Sequence, residues 1–368
     1  MKNTSLLNKK SQLFRRRLMV WHQSKNNRKM PWKGVKDVYK IWLSEIILQQ
    51  TRVEQGTAYY ERILQTFPSV FDLAKASEEA VMKLWEGLGY YSRCRNLHAT
   101  AKHIVAEREG VFPDTYEELL SLKGVGPYTA AAIASFAYAI PKPVIDGNVI
   151  RVLSRIFGIK EAVDNLTGRR KIEQLAEACI ETQDPAGYNQ AIMDFGAIVC
   201  KPANPLCSSC AMQKICFAYA NGAAEQLPVL EKKIKKKDRW MVFFILRYKN
   251  KIAMLQRKSG DIWAGLYDFP SMEFPTKSKW LSSQQEITKE GIPFLIATDP
   301  HRVIFNKSSY RQQLTHQKIY VKTIVVAIDR IADVAHPVQW TSIHQLDQFA
   351  FPKIIKDIIR DEPLLMQH

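Results

Sequence analysis

Two carboxylates and four cysteines stand out along this chain for the chemistry their types and spacing allow. Glu45 falls in the stretch 37–50, where helical spacing sets it beside Val38, Ile41, Trp42 and Leu48 on a strongly apolar face. Its helix is apolar on most sides, so the acid is expected inside the domain, desolvated and able to hold a proton near neutral pH. A buried Glu paired with a basic residue would give the same pattern. Asp146, in Val144-Ile145-Asp146-Gly147-Asn148-Val149, directly precedes a helical stretch and stands at its N-cap. Held by backbone donors it is expected to stay ionised, and capping is compatible with catalysis. An acid that holds a proton and one that has lost it are what glycosidic cleavage requires. The first protonates the leaving group and the second faces the oxocarbenium-like sugar. If the leaving group is a nucleobase, the nucleotide must first leave the stack.

Cys200, Cys207, Cys210 and Cys216 follow the spacing C-x6-C-x2-C-x5-C, so four of the six cysteines share one short loop. Without a secretion signal, such clustering points to metal ligation more than to disulfides. Four thiolates on a loop suit zinc or an iron–sulfur cluster, and spacing alone does not separate the two. Lys201 and Lys214 would give the metal-bound loop positive charge. Cys94 and Cys179 read as buried thiols.

A third motif, Leu122-Lys123-Gly124-Val125-Gly126-Pro127-Tyr128-Thr129, lies between two short helical patterns. Its glycines permit a tight turn, and Pro127 suits the first position of the next helix. A helix N-terminus with free amides binds phosphate without reading sequence. An ordinary αα-hairpin would read similarly.

These motifs need a scaffold, and its bulk properties name a class of partner. Lys and Arg exceed Asp and Glu by 53 to 36 over 368 residues, a formal charge of +17. That excess points to a polyanion, nucleic acid or an anionic membrane surface. No apolar run approaches a membrane span, and no signal-peptide core follows the basic residues Lys9, Lys10 and Arg15–Arg17, which leaves nucleic acid in front. From Ser11 to about Gly222 the pattern is helical, with helices expected at 11–23, 37–50, 53–66, 78–86, 92–109, 115–121, 127–138, 147–157 and 169–182. Residues 1–222 are therefore expected to form an all-α domain. Residues 223–237, with Pro228 and a lysine run, read as a solvated basic linker. Strand-like runs at 240–248, 251–256, 317–328 and 337–341 predict a smaller α+β domain over 238–368.

Taken together, Leu43-Ser44-Glu45-Ile46-Ile47-Leu48-Gln49-Gln50-Thr51, the hairpin with Tyr128, Asp146-Gly147-Asn148 and the cysteine loop resemble the MutY-type adenine glycosylases, among the endonuclease III-like helix-hairpin-helix enzymes. The resemblance covers nearly the whole chain. It implies a 4Fe–4S cluster on Cys200, Cys207, Cys210 and Cys216, and removal of adenine mispaired with 8-oxoguanine or guanine in duplex DNA. Glu45 would protonate adenine at N7 and later help activate water. Asp146 would stabilise the cation or a covalent sugar adduct, and Tyr128 and Asn148 would hydrogen-bond to that centre. Bifunctional relatives carry a Lys where this chain has Tyr128, so the resemblance implies a monofunctional enzyme without Schiff-base lyase chemistry. Gly124, Gly126 and Thr129 would contact DNA phosphates. Arg28 and Trp32 resemble the adenine-contacting segment, with Lys33 replacing a usual Arg. Gln190 would read an adenine edge. Gln50, Thr51, Leu88 and Tyr90 resemble the substrate-contacting wedge region. The resemblance also implies a monomer acting on DNA, in the bacterial cytoplasm or in the nucleus or mitochondria of a eukaryote.

Residues 238–368 resemble the MutT-like (Nudix-like) domain of that family, with Trp263-Ala264-Gly265-Leu266-Tyr267-Asp268-Phe269-Pro270 as the matching run. The magnesium-binding signature of pyrophosphohydrolases is missing, since Glu286 and Glu290 lack its Arg-Glu and Glu-Glu pairs. Recognition of 8-oxoguanine fits better than hydrolysis. Leu314-Thr315-His316 occupies the place of the family's Phe-Ser-His reader, with Thr315 and His316 as candidate contacts. A glycosylase for another mismatched base such as thymine, a non-catalytic DNA-binding protein, or an electron carrier are the competing readings.

Overall fold

The computed structural model describes residues 2–231, 236–290, 292, 294–295, 302–331, 334 and 337–362. Lys232, Lys233 and Lys235 of the lysine run, and the side chains of Glu286 and Glu290, lie outside the described residues. The chain forms two compact units: residues 1–75 with 96–233, and residues 76–95 with 234–368.

The first unit is helical throughout. Its helices are α1 (Lys2–Lys25), α2 (Val38–Leu48), α3 (Val53–Thr66), α4 (Val70–Lys75), the greater part of α6 (Tyr91–Arg108), α7 (Tyr116–Ser121), α8 (Pro127–Tyr138), α9 (Gly147–Phe157), α10 (Leu166–Cys179), α11 (Pro185–Ile198) and α12 (Phe217–Ala220); α5 (Glu78–Trp85) and the first turn of α6 lie within the 76–95 excursion. Apolar periodicity anticipates most of these to within a few residues. Three have no counterpart in that pattern: α4, α11 and the single turn α12. In α11, Asp184 caps the helix through the Gly187 N–H, and Pro185 fills its first turn. That pair is a start signal which the apolar pattern alone overlooks. Phe14, Leu18, Trp21, Val152, Leu153 and Phe195 sit in one core that brings α1, α9, α10 and α11 together. The segment read as a solvated linker is partly docked instead. Val163 N–H donates to Val229 O (3.0 Å), and Arg155 Nε donates to Leu227 O (3.0 Å), with Leu227 buried.

The second unit is built on a sheet of β1 (Lys237–Tyr248), β2 (Lys251–Gln256), β3 (Tyr267–Asp268), β4 (Ser271–Phe274), β5 (Arg302–Gln313), β6 (Gln317–Ala327) and β7 (Gln339–Ser342). The strand order is β3-β2-β1-β6-β5, with β4 paired to β1 and β7 to β2. Strands β1 and β6 run parallel, from Lys237 against Gln317 to Arg247 against Ala327. Every residue from Arg239 to Leu246 is buried, as befits a central strand covered on both faces. Helices α13 (Lys277–Glu290) and α14 (Lys353–Asp361) complete the unit. Strand β5 was not anticipated: its polar run Asn306-Lys307-Ser308-Ser309 lacks the apolar alternation of a strand, and its ladder with β6 is interrupted between Phe305 and Ser309.

Candidate active site

Helix α2 carries Glu45 on a shaft whose residues Ile41 to Ile47 are all buried. Glu45 is 6% exposed, and its Oε2 has no hydrogen-bond partner among the described residues. Among the described residues no basic side chain forms an ion pair with it, as an ordinary buried Glu would need. Burial is the main force on its pKa, raising it from 4.5 to about 7; a hydrogen bond with Tyr128 pulls it back and the charge of Asp146 pushes it further up. Glu45 lines a cavity of about 240 Å³ together with His22, Trp32, Lys33, Ser44, Phe136 and Gln190. Trp32, Gln190 and Glu45 thus line one cavity.

Asp146 caps α9: its Oδ1 accepts from the Val149 N–H (2.8 Å) and its Oδ2 from Asn148 Nδ2 (2.6 Å). Burial raises its pKa above the ordinary value, and the Val149 and Asn148 donors only partly offset that rise. The capping expectation holds. Burial works against the ionised form that these donors favour. Tyr128, in the first turn of α8, hydrogen-bonds Glu45 and feels the charge of Asp146. Its hydroxyl lies 3.8 Å from the Met193 sulfur and is also a hydrogen-bond partner of Glu45, while burial and both carboxylates push its own pKa far up. Behind Asn148, Arg151 donates to Asn148 Oδ1 (2.8 Å), Gly196 O (2.8 Å) and Cys200 O (2.8 Å), a strut the sequence reading passed over.

The hairpin differs in detail from expectation. Gly124 has φ +81°, and a Cβ there would lie 2.7 Å from the Asn96 Cβ, so glycine is required. Gly126 is extended, φ −93°, and a Cβ would meet nothing; its place at the helix cap does not depend on being glycine. Thr129 is buried, and its hydroxyl accepts from Gln49 Nε2 (3.0 Å), so only its backbone faces the helix N-terminus.

Arg28 does not line the Glu45 cavity. Its Nη1 donates to Asp194 Oδ1 (2.9 Å), and Lys33 Nζ reaches Asp194 Oδ2 (3.0 Å). Asp194, on α11, was missed because α11 itself was; an acid inside the apolar run 191–199 was the available signal. Gln50 is exposed with φ +57°, and Thr51 beside it is half-buried. Left-handed backbone at a non-glycine residue is uncommon and marks a built turn.

Within the second unit, Leu88, Tyr90, Thr315 and His316 line one cavity of about 470 Å³, with Arg95, Asp261 and Trp263. Leu314, Thr315 and His316 form the loop between β5 and β6, closed by the Leu314 N–H donating to Gln317 O (2.8 Å). Thr315 and His316 are exposed, and Tyr90, 43% exposed with φ +50°, shares a hydrogen bond with the Thr315 hydroxyl. Leu88, by contrast, is buried.

Cys200, Cys207, Cys210 and Cys216 line a single cavity, with Arg155, Met212 and Phe195 on its wall. Arg155 Nη1 donates to Cys200 Sγ (3.5 Å), and the Met212 N–H to Cys210 Sγ (3.4 Å). Burial pushes the Cys200 and Cys210 thiols up, and these donors offset part of that rise. Among the described residues no three His, Cys, Asp or Glu groups are disposed to share one metal ion. Among the same residues no helix is long and apolar enough to cross a membrane.

Residues 43–182 match the HhH-GPD superfamily of base excision DNA repair proteins, and residues 241–361 match the NUDIX domain. An adenine DNA glycosylase of Buchnera aphidicola (Baizongia pistaciae strain) is 33% identical over 328 residues, covering 87% of this chain and 88% of that protein. The chain belongs to the adenine DNA glycosylase family. The mouse adenine DNA glycosylase is 41% identical over 226 residues, 59% of this chain and 44% of its own length. Among solved structures, a thermostable thymine-DNA glycosylase is similar with a TM-score of 0.54 and 28% identity, over 58% of this chain and 98% of that one. An endonuclease III in a non-covalent DNA complex has a TM-score of 0.50 at 20% identity, over 58% and 97%, a likeness of fold alone. Membership of the adenine DNA glycosylase family makes this chain a DNA glycosylase of base excision repair, with a helix-hairpin-helix unit and a Nudix-like one.

Proposed function

We propose that the enzyme removes adenine mispaired with 8-oxoguanine or guanine from duplex DNA by hydrolysing its N-glycosidic bond, leaving the strand intact. The observation that carries this reading is Glu45: a carboxyl group walled in by an apolar helix, titrating near neutrality, on the wall of a cavity with Trp32 and Gln190. An extruded purine entering that cavity meets an acid with a proton to give. Glu45 protonates N7 and later helps activate water. Asp146, coupled electrostatically to Glu45 and held by Asn148 and the Val149 N–H, faces the positive sugar. Tyr128 hydrogen-bonds Glu45 and, lacking an amine, forms no Schiff base. Gly124 and Gly126 with the amides at the start of α8 hold a phosphate, and Gln50 and Thr51 meet bases around the lesion; Leu88 and Tyr90 belong with Thr315 and His316 in the second unit. Thr315 and His316 read the 8-oxoguanine.

The four cysteines would hold a 4Fe–4S cluster, since four thiols around one cavity, two of them receiving N–H donors, suit four thiolate ligands. Bound there, it would fix the 200–216 loop that carries Lys201 and Lys214. Arg155 and Arg151 anchor that loop through Cys200, Lys201 and Pro202.

Single-turnover cleavage of a duplex carrying adenine opposite 8-oxoguanine, scored with and without alkali, tests the reading. A strand break only after alkali supports it. A break without alkali, or preferential release of thymine from a guanine mismatch, overturns it.

A further inference from the structure

Trp32 and Lys33, which line the Glu45 cavity, and Arg28, which does not, share a stretch without regular structure between α1 and α2. What holds that stretch is a single buried carboxylate. Asp194 is fully buried, and both its oxygens are taken by residues of this segment. Oδ1 accepts from Arg28 Nη1 (2.9 Å), and Oδ2 from Asn26 Nδ2 (2.8 Å) and Lys33 Nζ (3.0 Å). Burial alone would raise the Asp194 pKa, but the Asn26, Lys33 and Arg28 donors bring it below the ordinary value. The contacts spread outward from there. Lys33 Nζ also donates to Arg28 O (3.0 Å), Asn26 Oδ1 accepts from the Arg28 N–H (3.2 Å), and Asn26 Nδ2 meets His22 Nδ1 at 2.8 Å.

Two features separate this network from an ordinary structural ion pair. First, Lys33 and His22 line the Glu45 cavity, and so does Trp32, which packs edge-on to Tyr60 at 5.3 Å. Second, the two cations keep 26% and 23% of their side chains exposed. They can swing to water if Asp194 loses its charge, so the helices need not unfold with them.

We propose that Asp194 is a positioning residue that shapes the mouth of the base pocket, holding Trp32 and Lys33 where an extruded purine is captured. Resting on the pocket assignment proposed above, this adds a determinant of capture distinct from the proton transfer at Glu45. Without the carboxylate the 26–36 segment loses its anchor. The purine is then held less well, while Glu45, Tyr128 and Asp146, on other elements, keep their geometry.

The test is single-turnover adenine release measured over a range of enzyme concentrations, giving a saturating rate and a half-saturating concentration. Asp194→Asn is expected to raise the half-saturating concentration about tenfold or more and to leave the saturating rate within about threefold. Asn26→Ala, which strands no charge, is expected to shift the same parameter about threefold. A fall confined to the saturating rate, or no change in either parameter, overturns the proposal. If Asp194→Asn does not fold, Asn26→Ala decides by the same split. Failure of the unmodified enzyme to release adenine at all is a different result, and sinks the pocket assignment itself.

Discussion

The Tyr128 hydroxyl and the Glu45 carboxyl share a hydrogen bond with opposite effects on the two groups: it draws the Glu45 pKa down and pushes that of Tyr128 up. Desolvation outweighs it at Glu45, which stays near 7, so the tyrosine keeps the acid oriented without stripping its proton.

Glu45→Gln should abolish adenine release by at least about a hundredfold while duplex binding stays intact. Product release under single-turnover conditions, beside a gel-shift titration, separates the two. Wild-type release by Glu45→Gln would remove the acid from the mechanism.

The same substitution should stabilise the protein, and the effect has a definite pH sense. A carboxyl whose pKa rises on folding, from 4.5 to about 7, binds its proton more tightly in the folded state. Its cost is absent below pH 4.5, grows as pH rises through 4.5 to 7, and is fully present above 7, on the order of 3 kcal/mol. Thermal melts should therefore show a higher Tm for Glu45→Gln at pH 8 and little difference at pH 4.5.

Activity should follow that titration in the opposite direction from a general base. The value of kcat/KM should fall as pH rises through about 7, where Glu45 loses its proton. Asp146 must remain ionised, and its own raised pKa sets a second, acidic limb. A pH–rate profile from 4 to 9 reports both.

Replacing Cys210 by Ser should lower bound iron and acid-labile sulfide and weaken duplex binding, with the fold of α2 and α8 retained. Metal analysis, a visible absorption spectrum and salt-dependent binding check it.

Thr315→Ala with His316→Ala should erode the preference for 8-oxoguanine over guanine opposite adenine by about tenfold, leaving release from the guanine mismatch nearly unchanged. Paired rate measurements on the two duplexes decide it.

Much of the site is legible in sequence because its chemistry leaves marks there. Glu45 interrupts an otherwise apolar helix, Asp146 stands where a helix must be capped, and the four cysteines keep their spacing. Local turn geometry is less legible: Gly126 looks as necessary as Gly124, but only Gly124 takes left-handed backbone. Thr129 reads as a phosphate contact until its hydroxyl is seen bonded to Gln49. Least legible are partners far apart in the chain. Arg28 and Asp194 are 166 residues apart, and nothing in either neighbourhood announces the other. The assignment of 76–95 to the second unit is likewise a product of tertiary contacts, which no local pattern encodes.

Proton transfer from Glu45 to the purine is tested most directly by a duplex carrying 7-deazaadenine opposite 8-oxoguanine, which keeps the shape of adenine but lacks the N7 lone pair. The expected result is binding comparable to the adenine duplex with no release of the modified base. Release at the rate of adenine would contradict N7 protonation by Glu45.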